Sequence, residues 1–173
     1  IGELMFQNCT SLASITIPNS VKSIGNNAFE KCVSLTSVVI PNSVTTIGNN
    51  AFSNCSSLTS ITLPFVGGSA TSNTYLGYIF GASSYSANSS YVPSSLKEVI
   101  LINCTNIDSY AFYGCSKLTS IVIPSNVTSI GEDAFYKCSS LTSVVIPDSV
   151  TSIGGSAFYN CSNLTIYCEA ESQ

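Results

Sequence analysis

Apolar and polar positions recur along this chain with a period of 23 residues. In Leu12-Ala-Ser-Ile15-Thr-Ile17 the last residues alternate between apolar and polar and are β-branched, which is typical of a half-buried strand. The same pattern begins seven times, at Leu12, Leu35, Leu58, Leu96, Leu118, Leu141 and Leu164. The pattern therefore predicts seven short strands at equivalent positions of seven repeats.

The rest of each repeat also follows one scheme. A proline comes directly after most strands and ends them, because proline lacks a ladder donor; these residues are Pro18, Pro41, Pro64, Pro124 and Pro147. Val21 and Ile24 then indicate a second, inward-facing extended segment. A glycine follows in four repeats, where we expect a turn that requires positive φ: Gly25, Gly48, Gly131 and Gly154. Ala28-Phe29-x-x-Cys32 predicts a single 3₁₀ or α turn.

No repeat can bury its apolar side alone, so the repeats must stack and share one core. A period in the twenties with leucine-like residues at positions one, four and six indicates a leucine-rich repeat solenoid. We predict a single array over residues 1–173, an α/β solenoid wound as a right-handed superhelix. Its parallel sheet forms the concave face, and short 3₁₀ or helical turns form the convex side. The phenylalanines of the convex turns should stack as a spine, which Phe80 continues: Phe6, Phe29, Phe52, Phe112, Phe135 and Phe158.

One coil is irregular, because Leu58 and Leu96 are separated by 38 residues. Its insertions lie within 64–95, and we expect them at opposite edges of the sheet. They contain Tyr75, Tyr85 and Tyr91 among glycine, serine and asparagine, a composition found in recognition loops. The alternative is that they are tolerated surface loops whose tyrosines cover exposed core.

Composition limits the possible functions. Hydrophobic residues make up 45% of the chain and charged residues 8%, which suffices for a continuous core. A net charge of −4 with five lysines and no arginine argues against nucleic-acid binding. The chain has no histidine and no tight Cys-x-x-Cys pair, so we expect no metal site, no cofactor and no enzymatic activity. The sequence contains no run of 18 apolar residues, so we expect no membrane insertion. The sequence makes no prediction of oligomeric state.

Six of the eight cysteines occupy one repeat position and should form a column: Cys9, Cys32, Cys55, Cys115, Cys138 and Cys161. Equivalent side chains of adjacent coils point the same way with Cβ atoms about 5 Å apart. A disulfide requires about 3.8 Å. We therefore expect reduced, buried thiols that pack as small hydrophobes.

The chain begins in the middle of a coil, because Ile1-Gly2 aligns with Ile24-Gly25. This register leads us to expect that the sequence is a piece of a longer protein and that any signal peptide lies outside it.

The outward-facing strand residues define a candidate binding surface on the concave face. One predicted column consists mostly of serine and includes Glu98. A second column is apolar over its C-terminal half: Thr16, Val39, Thr62, Ile100, Val122 and Val145. An exposed apolar strip can receive a partner, but short β-branched residues also suit a parallel sheet that binds nothing. Both interpretations remain open at this point.

The unit Leu-x-x-Ile-x-Ile-Pro-x-x-Val-x-x-Ile-Gly-x-x-Ala-Phe-x-x-Cys, seen almost intact at 12–34, 35–57, 118–140 and 141–163, resembles the BspA-like (Treponema pallidum type) leucine-rich repeat family. The resemblance implies a secreted or surface-exposed protein of a host-associated bacterium or mucosal protist. Some family members are adhesins that bind host extracellular-matrix proteins. Three functions remain open: an adhesin-like protein-binding module, a structural spacer or display stalk, and an accessory repeat of an enzyme outside this chain.

Overall fold

The structure, a computed structural model, describes residues 1–169 as a parallel-sheet solenoid. Its main sheet has six strands: β2 (Ser37–Val39), β4 (Ser60–Leu63), β5 (Glu98–Leu101), β7 (Ser120–Val122), β9 (Ser143–Ile146) and β11 (Thr165–Cys168). Their order across the sheet is β11-β9-β7-β5-β4-β2, so each coil pairs with its neighbours in the stack. An isolated bridge between Thr16 and Val39 extends the pairing to the first predicted strand.

The second extended segment of each repeat forms a separate row of two-residue strands, all parallel. This row is divided into two sheets by the irregular coil. The first sheet contains β1 (Ser23–Ile24) and β3 (Thr46–Ile47). The second contains β6 (Asn106–Ile107), β8 (Ser129–Ile130) and β10 (Ser152–Ile153). The main sheet is therefore continuous through the irregular coil, whereas the second row is not.

The core between these rows contains stacked phenylalanine rings, as predicted, but in two separate runs. Phe6, Phe29 and Phe52 stack with ring centroids 5.2 Å apart. Phe112, Phe135 and Phe158 stack at 5.1 Å. Phe80 is buried in the irregular coil between the runs.

By sequence, residues 76–80 correspond to the Ile-Gly-x-x-Ala-Phe segment of a regular coil with one residue deleted. The backbone follows this correspondence toward the preceding coil, where Phe52 N donates to Ile79 O at 2.9 Å, but not toward the next coil. In a regular coil the phenylalanine amide donates to the next coil, as Phe29 N does to Ala51 O at 2.8 Å. In the irregular coil Leu76, not Phe80, donates to Ala111 O, also at 2.8 Å. The reason is that Leu76–Phe80 forms a 3₁₀ helix in place of an extended segment and a turn.

The convex side consists of hydrogen-bonded turns in the regular coils and short helices in the irregular one. A typical turn closes with Cys32 N donating to Phe29 O at 3.1 Å. The irregular coil adds a second 3₁₀ helix at Tyr85–Ala87 and α1 at Asn88–Tyr91. Asn88 ties the two parts of the coil together, because its buried Oδ1 accepts from Gly77 N at 2.9 Å.

The expectation that the four repeat glycines take positive φ is wrong. Positive φ in the turns belongs mainly to other residues, such as Asn27 at 56° and Lys31 at 59°. A Cβ placed on Gly48 would lie 2.4 Å from the backbone nitrogen of Asn26 in the preceding coil. A Cβ placed on any of the other three repeat glycines would lie 2.3 to 2.5 Å from a backbone nitrogen of the preceding coil. Glycine is therefore required because successive coils touch at this point, not because of its backbone freedom.

The repeat cysteines hold the convex turns to the core. The Cys55 thiol donates to Phe29 O at 3.2 Å, and the Cys138 thiol donates to Phe112 O at 3.1 Å. Burial raises the pKa of Cys55 and that of Cys115 to about 12. The neutral S–H form is therefore the one that the fold stabilises.

Candidate partner-binding surfaces

The predicted apolar column of the concave face is assembled by the strand register. Val39 pairs with Thr62, and Thr62 pairs with Ile100, which in turn pairs with Val122. Val39, Val122 and Val145 are 59%, 45% and 46% exposed. We call this set the concave column.

The structure adds Tyr167 to the concave column. A strict 23-residue count would set Tyr167 beside Val144, whose side chain is buried. The register of β11 is shifted by one residue, so Tyr167 pairs with Val145 instead. Tyr167 is 56% exposed. The C-terminal half of the column is therefore a strip of exposed apolar side chains that ends in an aromatic ring.

A second column, built of hydroxyls, runs beside the first and contains one charge. Glu98 lies between Ser60 and Ser120 in the register of β4, β5 and β7. Ser60 Oγ donates to Glu98 Oε2 at 2.9 Å, which fixes the carboxylate on the concave face. Chemically, the concave face thus offers an apolar strip, a row of hydroxyls and a single negative charge. This combination suits a protein surface rather than a small polar substrate.

The three loop tyrosines do not join the concave column, and they differ from one another. Tyr75 is half-buried, its hydroxyl donates to Ala82 O at 3.2 Å, and burial raises its phenol pKa. Its ring packs edge-on against Tyr78 at 6.1 Å, so Tyr75 serves the fold. Tyr91 is 50% exposed and Tyr85 is 38% exposed, so these two remain available to a partner.

Tyr85 belongs to an aromatic surface that we did not predict. Its ring stacks on Tyr110 at 4.1 Å and meets Tyr113 edge-on at 5.4 Å. Tyr113 stacks on Tyr136 at 4.8 Å, and Tyr136 stacks on Tyr159 at 5.3 Å. We call these five residues the tyrosine ladder. Their neighbours in sequence place them on the convex turns, opposite the concave column.

Part of the tyrosine ladder was visible in the sequence. Tyr113, Tyr136 and Tyr159 each follow a core phenylalanine and recur every 23 residues. Tyr85 joins them only because the second insertion packs on the convex side. Charges surround the ladder: Glu132 is the main cause of the raised pKa of Tyr110, and Lys137 lies 5.2 Å from the Tyr136 ring centroid.

Residues 1–169 contain no cluster of histidine, cysteine and acidic side chains arranged to hold a metal ion. Over the same residues, no helix has both the length and the apolar character needed to cross a membrane.

Residues 1–99 and 86–169 match the family described as BspA type leucine rich repeat region, in six copies. A leucine-rich repeat protein from Bacteroides ovatus is 27% identical, with a TM-score of 0.59. The match covers 96% of this chain and 45% of the Bacteroides ovatus chain. A leucine rich cell surface protein from Faecalibacterium prausnitzii is 31% identical, with a TM-score of 0.55 over 99% of this chain and 43% of its own.

A leucine-rich repeat protein from Eubacterium ventriosum has a TM-score of 0.59 at 24% identity, covering 93% of this chain and 39% of its own, a likeness of fold alone. No curated protein matches this chain. The chain spans less than half the length of each of these solved structures.

Proposed function

Because this chain belongs to the BspA-type leucine-rich repeat family, we propose that it is an adhesin-like, protein-binding module at a cell surface, without enzymatic activity of its own. Leucine-rich repeat arrays are generally non-catalytic and use their extended concave surfaces to bind other proteins. The proposed partner is a host extracellular-matrix or cell-surface protein.

One observation carries the proposal. Val122, Val145 and Tyr167 are neighbours on adjacent strands and roughly half-exposed, although the same fold buries the alternate residues Ile121 and Val144. Solvent exposure of adjacent large apolar side chains costs free energy, which binding to a partner recovers at about 25 cal/mol per Å². Protein-binding surfaces commonly have such an apolar centre with a polar rim.

The proposed location is supported by a relative. The Faecalibacterium prausnitzii protein is described as a cell surface protein and is 31% identical over 99% of this chain. Secretion or surface display of this chain is accordingly part of the proposal, and surface labelling of the source cells with an antibody to the chain tests it.

The binding experiment compares two double variants against a panel of immobilised extracellular-matrix proteins. Val122→Lys with Val145→Lys places two charges in the concave column, and we expect binding to weaken at least tenfold. Val33→Lys with Ile153→Lys is the matched control, since both residues are exposed and apolar but lie outside the main sheet. The control should bind within twofold of the unmodified chain.

Equal binding by the two double variants would remove the concave column from the proposal. A further variant, Tyr85→Ala with Tyr91→Ala, tests the exposed loop tyrosines in the same assay.

The second candidate function is a structural spacer. It is favoured by the uniformity of the regular coils, whose core rings stack at nearly constant separations of 5.1 to 5.2 Å. A folded chain that binds no member of the panel, and whose double variants behave alike on cells, would favour the spacer.

A further inference from the structure

One buried repeat cysteine lacks the hydrogen bond that the others make. Four thiols donate to the phenylalanine carbonyl of the preceding coil at 3.0 to 3.2 Å: Cys32, Cys55, Cys138 and Cys161. Cys115 is only 3% exposed, yet among the hydrogen bonds of residues 1–169 none begins at its thiol. The coil before Cys115 is the irregular one, in which the 3₁₀ helix Leu76–Phe80 replaces the regular turn. The thiol of Cys115 therefore has no regular turn carbonyl to meet.

A second buried donor without a partner belongs to the irregular coil itself. The Asn88 side chain is fully buried, and its Oδ1 accepts from Gly77 N at 2.9 Å. That bond fixes the orientation of the amide, because the opposite orientation would turn Nδ2 against the Gly77 N–H, donor against donor. Within residues 1–169, Asn88 Nδ2 has no hydrogen-bond partner. Buried donors of this kind are nearly always satisfied, by the protein or by water.

Asn88 and Cys115 line the same small cavity, which lies between α1 and the turn that leads to Leu118. The cavity offers about 10 Å³ to the centre of a water-sized sphere. One water molecule needs about 10–15 Å³ by this measure. The space therefore suits a single water molecule and nothing larger. The groups that line so small a space are within reach of the same molecule.

The lining is polar enough to hold water. A buried water molecule usually has two to four polar partners, whereas a purely apolar cavity stays dry. Asn88 Nδ2 and the Cys115 thiol supply two donors, and the hydroxyls of Ser89 and Ser116 supply acceptors. The buried side chain of Leu96 forms part of the apolar remainder of the wall.

We propose that this cavity binds one structural water molecule, which accepts hydrogen bonds from Asn88 Nδ2 and from the Cys115 thiol. The two lone pairs of the water oxygen suffice for both donors, and its protons go to the hydroxyl oxygens of Ser89 and Ser116. The water takes the place of the carbonyl that the thiols of the regular coils reach. It thereby joins the irregular coil to the coil that contains Cys115.

The bound water anchors the segment that carries two exposed tyrosines. Helix α1 begins at Asn88 and ends at Tyr91, and the 3₁₀ helix Tyr85–Ala87 comes directly before it. The position of Tyr85 and Tyr91 on the surface thus depends on the contact that the water completes. The site goes beyond the proposed function, because it exists whether or not a partner is bound.

The test is NMR of the whole chain in water. Rotating-frame Overhauser cross-peaks between the water resonance and the Asn88 side-chain amide protons show contact with water. A sign opposite to the diagonal excludes proton exchange as their source. Laboratory-frame cross-peaks of the reverse sign show a long residence time, which surface water lacks. Oxygen-17 relaxation dispersion of the solvent then counts the long-lived water molecules of each variant.

Cys115→Val removes the thiol donor and adds a methyl group to the cavity. We expect loss of the Asn88–water cross-peaks and a fall in the water count by about one. Cys115→Ser keeps a donor of similar size and should retain both signals. Cys55→Val is the matched control, since it loses the bond to Phe29 O but does not line this cavity, and it should retain the cross-peaks. Circular dichroism verifies that the variants are folded.

Two results would overturn the inference. The first is the absence of Asn88–water cross-peaks in the unmodified chain, which tests the site even if a variant does not fold. The second is their persistence, with an unchanged water count, in folded Cys115→Val. Neither measurement involves a binding partner, so a failure of the water site and a failure of the concave column are told apart.

Discussion

Truncation of Phe135 tests whether the stacked rings hold the array together. The Phe135 side chain is fully buried, and its ring lies 5.1 Å from both Phe112 and Phe158, nearly parallel to each. A buried phenylalanine removes about 150–250 Å² from water. At about 25 cal/mol per Å² this burial is worth about 4–6 kcal/mol, and somewhat less after allowing for a compact unfolded state. Phe135→Ala should therefore lower the free energy of unfolding by about 3–5 kcal/mol.

The assay is urea unfolding, followed by circular dichroism. With a slope of about 2 kcal/mol per M, the midpoint should fall by about 2 M. Phe158→Ala is the matched control, since Phe158 is half-buried and, among residues 1–169, stacks on Phe135 alone. Its expected cost is about 1–2 kcal/mol. If Phe135→Ala is too unstable to purify, Phe135→Leu should remain folded and cost about 1–2 kcal/mol. Equal costs for the two alanine variants, or a loss below about 1 kcal/mol at Phe135, would refute the reasoning.

Four other outcomes follow from the structure. Gly48→Ala should destabilise by about 2 kcal/mol or more, because its Cβ would meet Asn26 N at 2.4 Å; an unchanged melting temperature would show that the coils can separate there. Burial raises the pKa of Cys55 to about 12, above its value of about 8.5 in an unfolded chain. The stabilisation of the folded state by this buried thiol is therefore complete below about pH 8.5 and is lost as the pH rises toward 12. The stability advantage of the unmodified chain over Cys55→Ala should thus shrink by about 1.4 kcal/mol per pH unit between pH 9 and 11, and a constant difference would contradict the burial of the thiol. Asn88→Ala should cost about 1–3 kcal/mol in urea unfolding, because Gly77 N would lose its buried acceptor; a loss below about 0.5 kcal/mol would contradict this role. Tyr136→Ala should cost about 1–3 kcal/mol in urea unfolding, since it removes two stacking contacts, to Tyr113 and Tyr159, that are worth about 0.5–1.5 kcal/mol each; an unchanged midpoint would show that the ladder adds no stability.

The regular coils illustrate how much a repeat makes predictable. Phe29 and Phe52 occupy one phase of a 23-residue period, and stacked coils bring equal phases together, so their contact follows from the count alone. The exposure of Val122 and Val145 follows in the same way from the alternation of a strand. In a repeat array, the sequence pattern of one coil is therefore enough to predict the contacts between residues of adjacent coils.

The glycine positions show where the count was insufficient. The sequence marks Gly48 as special but does not distinguish positive φ from a close approach between coils. Only the spacing of the stacked backbones, with Asn26 N at 2.4 Å from the would-be Cβ, decides between them. A one-residue shift in the register of β11 brings Tyr167 beside Val145. The residues of β11 do not indicate this shift, because it depends on the hydrogen bonds between the strands.

The sequence by itself determined the solenoid, its parallel sheet, the stacked core and the members of the concave column up to Val145. Tertiary structure alone decided the path of the insertions: that Tyr75 is tied to the fold, that Tyr85 joins the tyrosine ladder, and that Asn88 and Cys115 line one small cavity. The physical reason is that a repeated side chain has its neighbours fixed by the period. An inserted segment has no counterpart in the next coil, so its course depends on which distant surfaces it can pack against and on which backbone groups it leaves unpaired.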